Sequence, residues 1–66
     1  MTTTDRLVLM ANQIAANLMH EPDPAAATAH HIRLYWDPRM KTMIRGPAIV
    51  GLTNVAAAAV AQLDNG

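Results

Sequence analysis

Sixty-six residues with five basic and five acidic side chains, no cysteine, and one Trp and one Tyr as the sole aromatics make a small, formally neutral chain. The lack of cysteine excludes disulfides, iron–sulfur ligation, thiolate zinc sites and thiol nucleophiles. Zero formal net charge removes the electrostatic footprint expected of a nucleic-acid or anionic-membrane binder.

A chain of this length buries only about 60% of the surface its unfolded form exposes. At the usual 0.05–0.15 kcal/mol per residue its fold is worth roughly 3–10 kcal/mol, so a partner surface can add as much stability as the core. The opening MTTTDR lacks the basic start, apolar run and small-residue cleavage site of a secretory signal, and a cytoplasmic location is expected. The apolar stretch from Pro47 to Ala61 is broken by Thr53 and Asn54 and falls short of the about 20 residues a spanning helix needs. The expectation is one all-α domain over residues 1–66, a small bundle of three to four short helices at about 4–19, 24–36, 38–45 and 54–63.

The first helix is expected from Thr4, which can cap the free amides, with Asp5 favourable in the first turn and neither Gly nor Pro before Met19. At about 100° per residue, Leu7, Met10, Ala11, Ile14 and Leu18 form one apolar stripe, which Val8, Ala15 and Met19 widen. Arg6, Gln13, Asn17 and His20 lie opposite. The apolar face is wider than a two-helix contact requires. Asn12 falls at its edge, where an amide wants a partner: water, the second helix or another subunit.

The prolines at 22 and 24 break the chain. Asp23-Pro24 then restarts a helix with a capping carboxylate and a proline at the first helical position. Ala25, Ala29, Ile32 and Trp36 form the core stripe of this second helix. Asp37-Pro38 repeats the device for a short third helix that ends at Gly46-Pro47. Thr53 is placed to cap an alanine-rich fourth helix, with Leu52 able to pack against its first turn, and residues 64–66 are expected to fray. The core expected from these patterns comprises Leu7, Met10, Ile14, Leu18, Ile32 and Trp36.

No metal site and no catalytic residue emerge. His30 and His31 are adjacent, so on a helix they point about 100° apart, whereas a helical metal pair needs i, i+3 or i+4 spacing. A general acid or base drawn from His31, Asp37 or Arg39 needs a concave, partly dry pocket, and 66 residues supply little wall for one. Tyr35, Arg39 and Met40 instead have the aromatic, Arg and Met character enriched at interface hot spots. A partner interface is therefore expected from Asn12, His31, Tyr35, Asp37, Arg39 and Met40, with Trp36 packed inward.

Two segments carry a resemblance. LVLMANQIAANL, residues 7 to 18, and HHIRLYWDPRMK, residues 30 to 41, together resemble the small delta subunit of soluble, NAD-dependent, molybdenum-containing formate dehydrogenases. Met10 to Ala15 match the family's MANQIA segment, and His31, Ile32 and Trp36 to Met40 match its second motif. Leu18 and Tyr35 stand where phenylalanine is more familiar, and the C-terminal half is shorter, without the usual glycine-rich loop.

The resemblance implies a non-catalytic accessory subunit without cofactors of its own. In such complexes a large alpha subunit oxidises formate at a molybdopterin centre, and a flavin in the beta subunit reduces NAD. Beta and gamma subunits complete the assembly. The small subunit is expected to bind the alpha subunit and support assembly or stability. A reading of a different class is a small helical regulator or antitoxin-like interaction protein, against which the balanced charge speaks in its DNA-binding form.

Overall fold

The computed structural model describes residues 2–63, and the expected fraying of residues 64–66 lies outside them. The described residues form four helices and no strand: α1 Thr3–Asn17, α2 Pro24–Tyr35, α3 Pro38–Ile44 and α4 Asn54–Leu63.

Local chemistry sets the helix starts. α1 begins earlier than expected, because the cap is Thr2 and not Thr4. The Asp5 amide donates to Thr2 Oγ1 at 3.1 Å, and the Thr2 amide donates back to Asp5 Oδ2 at 3.1 Å. Only Thr2 stands three residues before a carboxylate, so only Thr2 can complete this reciprocal capping box. The helix stops at Asn17 and not Met19. The Leu18 amide is shared between the Ile14 and Ala15 carbonyls, and the Glu21 amide closes a turn onto Leu18.

Both Asp-Pro restarts form. Asp23 Oδ1 accepts from the Ala26 amide at 3.1 Å, and Asp37 Oδ1 from the Met40 amide at 2.8 Å. α4 starts on Thr53, whose Oγ1 accepts from the Ala56 amide at 3.3 Å.

The core lies where α4 packs against α2 and α1, with α3 packed against α1. Ala11, Ala15, Ala29, Ala56 and Ala59 are all buried, and such small side chains let helix backbones approach closely. Leu7, Val8, Ile32, Trp36, Ile44, Val60 and Leu63 fill the remaining volume. The buried face of α1 is Leu7, Val8, Ala11 and Ala15. It is turned from the expected stripe by roughly half of the 100° residue step, toward the side on which α4 docks.

That turn changes the core. Met10 is 43% exposed and is not a core residue, because the docking of α4 on the Val8 and Ala15 side carries Met10 out of the contact. Ile14 is half-buried and packs against the core, whereas Leu18, expected in the core, is half-buried at the C-terminal cap of α1 and does not join it, because the helix ends at Asn17. No helix among the described residues is long and apolar enough to cross a membrane.

Candidate functional site

The apolar residues of α1 that the core leaves uncovered line an open groove of about 590 Å³. Leu9, Met10, Gln13 and Ile14 come from α1, His31, Tyr35 and Trp36 from the end of α2, and Met40 from α3. Leu9 is 54% and Tyr35 73% exposed. Exposed apolar surface gathered into one concavity, with Gln13 and His31 as its polar members, is the composition of a protein–protein contact.

Helix geometry builds each wall. Leu9, Met10 and Gln13 fall on one side of α1, about 90° or more from the centre of its buried face at 100° per residue. His31 and Tyr35 are four residues apart on α2, the spacing that brings side chains together. Their ring centroids lie 4.7 Å apart with planes tilted by 44°, within the range of favourable aromatic contacts. This stack props Tyr35 at the rim. Trp36 is buried, so the groove takes its floor from a side chain that also anchors the core.

The expected interface residues divide into two groups. The groove unites His31, Tyr35 and Met40, together with Met10, Ile14 and Trp36 from the expected core. Arg39 is exposed beside Met40. Asn12 and Asp37 lie outside the groove with their polar atoms engaged in the chain. Asn12 Nδ2 donates to the Gly51 carbonyl at 3.0 Å, and its Oδ1 accepts from the Thr53 amide at 2.9 Å. The Asp37 carboxylate caps α3. Leu9 and Gln13 are additions to the expected site, although the unbroken LVLM run signals an apolar face too wide for one core contact.

A second depression, beyond Tyr35, is lined by Leu18, Glu21, Asp23, His30 and Leu34 among others. Its titratable groups do not assemble a ligand set: no group of three or more His, Asp or Glu that could hold a metal occurs among the described residues. Arg33 serves the fold, its Nη2 donating to the Gln62 carbonyl at 2.6 Å and tying α2 to the last turn of α4.

The two sequence segments that carry the resemblance therefore meet at one groove. The family model described as NADH-dependent formate dehydrogenase delta subunit FdsD matches residues 6–61. The chain belongs to that family. Neither a curated protein nor a solved structure matches it. The match touches all four helices, running from Arg6 in α1 to Ala61 in α4. The delta-subunit assignment thus includes most of the C-terminal half as well as the two motifs.

Proposed function

We propose that this chain is the non-catalytic small subunit of a cytoplasmic, NAD-dependent, molybdenum-containing formate dehydrogenase, in which it docks on the large alpha subunit and supports assembly or stability. Formate oxidation and NAD reduction belong to the other subunits, and beta and gamma subunits complete the complex. The observation that carries the reading is the meeting of the two motif segments at one apolar groove. Met10, Gln13 and Ile14 of the first face His31, Tyr35, Trp36 and Met40 of the second across a surface the fold leaves uncovered.

A helical chain with a marginal core gains from such an arrangement. Covering Leu9, Met10 and Tyr35 removes apolar surface from water at roughly 25 cal/mol per Å², and mass action adds the binding free energy to the stability of the bound subunit.

The test is co-purification of the tagged chain with the other subunits, comparing wild type with a Met10→Ser/Tyr35→Ser variant. Both side chains are exposed, so helicity is expected to stay unchanged while retention of the large subunit falls. Equal retention by the variant would refute groove docking.

A further inference from the structure

The formal neutrality of the chain conceals an imbalance in which charges are free to act outward. Three of the four described carboxylates are engaged at helix starts. Asp5, Asp23 and Asp37 accept backbone amides at the starts of α1, α2 and α3, and the fourth, Glu21, lies beside His20 and lines the second depression, outside the groove. A carboxylate at a helix N-terminus is compensated by the helix dipole. Arg6 and Arg39, by contrast, are exposed, and neither side chain makes a hydrogen bond or ion pair among the described residues.

Their positions relate them to the groove. Arg6 precedes Leu9, Met10 and Gln13 by three, four and seven residues, so it continues the groove wall of α1 by one turn. Arg39 is the residue before Met40 on α3 and stands about 100° round the helix from it, so it lies beside the groove and not among the residues that line it.

We infer that the surface received by this groove is an apolar strip flanked by carboxylates that face Arg6 and Arg39. The inference rests on the docking reading above and adds the chemistry of the partner. A second copy of the chain fits less well. A two-fold contact across the groove sets the same patch against itself and gathers four uncompensated guanidinium groups at its edges, where like charges are costly. Charge complementarity thus selects an acidic partner.

The experiment measures association of the full chain with the formate dehydrogenase complex lacking it, at low and raised salt. Wild-type association is expected to weaken with salt. An Arg6→Glu/Arg39→Glu variant is expected to bind about tenfold or more weakly at low salt, with the salt dependence reduced. Its circular dichroism is expected to be unchanged, and an Arg6→Lys/Arg39→Lys variant is expected to retain most of the affinity.

If charge reversal and salt both leave association unchanged while Tyr35→Ser still weakens it, the acidic partner is overturned and groove docking survives. A wild-type chain that never associates overturns both. Self-association of the wild-type chain that Tyr35→Ser abolishes would also overturn the inference, by showing a second copy in the groove.

Discussion

Asn12 and Thr53 are joined across 41 residues of sequence: the Thr53 amide donates to Asn12 Oδ1 at 2.9 Å. Because Thr53 caps α4 through the Ala56 amide, a side chain in the middle of α1 fixes where the last helix begins. The Asn12 amide nitrogen adds a second tie, to the Gly51 carbonyl. Asn12→Ala removes both bonds, at about 1 kcal/mol each in net stability. The melting temperature is expected to fall by roughly 8–16 °C, at the 4–8 °C per kcal/mol typical of domains this small. Asn12→Asp keeps the acceptor for Thr53 but sets a carboxylate against the Gly51 carbonyl, so it is not expected to rescue stability. Thermal melts of the three chains decide the point.

Gly51 adopts φ of +91°, and a Cβ there would meet Val8 Cγ1 at 3.7 Å. That distance is ordinary van der Waals contact, so space does not forbid a side chain. The backbone does, because a left-handed conformation costs an L-residue about 1–2 kcal/mol. Gly51→Ala is expected to lower stability by that amount in chemical denaturation. Gly51→Asn is expected to cost less than Gly51→Val, since asparagine tolerates positive φ and a β-branched residue does not. Equal losses for Asn and Val would indicate a steric origin.

Thr28 is fully buried in α2, and its Oγ1 has no hydrogen-bond partner among the described residues. Leaving a buried hydroxyl unsatisfied costs about 1–3 kcal/mol, a large fraction of the stability of so small a fold. Thr28→Val keeps the β-branched shape and replaces the hydroxyl by a methyl group, and is expected to raise the melting temperature. Thr28→Ser keeps the hydroxyl and removes the methyl group, and is expected to lower it. A Thr28→Val chain that melts below wild type would show that the hydroxyl is satisfied in solution.

Trp36 is 6% exposed where α2 ends. Truncating a buried Trp to Ala costs about 3–5 kcal/mol, against roughly 3–10 kcal/mol for the whole chain. Trp36→Ala is therefore expected to abolish the cooperative melt of the free subunit, as seen by circular dichroism. An unchanged melt would remove Trp36 from the core.

The helix plan is legible in the sequence because its signals are local. Asp23-Pro24 and Asp37-Pro38 each combine a cap with a residue that cannot continue a preceding helix, so two boundaries follow from dipeptides. Thr2 is easily overlooked because three consecutive threonines offer equivalent caps until the position of Asp5 is used to choose between them. Met10 reads as a core residue because periodicity defines a face but not how much of it a neighbour covers. The need of Asn12 for a partner can be read from its position, whereas the identity of that partner depends on the path of residues 51–53. The Arg33 bond to the Gln62 carbonyl joins residues 29 apart and leaves no pattern in the chain. Of the groove, Tyr35, His31 and Met40 are visible as an aromatic and sulfur-bearing cluster, but their meeting with α1 is a tertiary fact.

The pairing of α4 with α2, the most extensive helix contact in the molecule, has a consequence for shortened chains. The α2 face bearing Ala29 and Ile32 is covered by a helix that begins only at Asn54, after α3 and the loop that follows it. Until Asn54 to Leu63 are in place, that face has no cover from α4. A chain truncated before Asn54 would leave Ala29 and Ile32 without their α4 cover, and would be an adhesive fragment instead of a subunit.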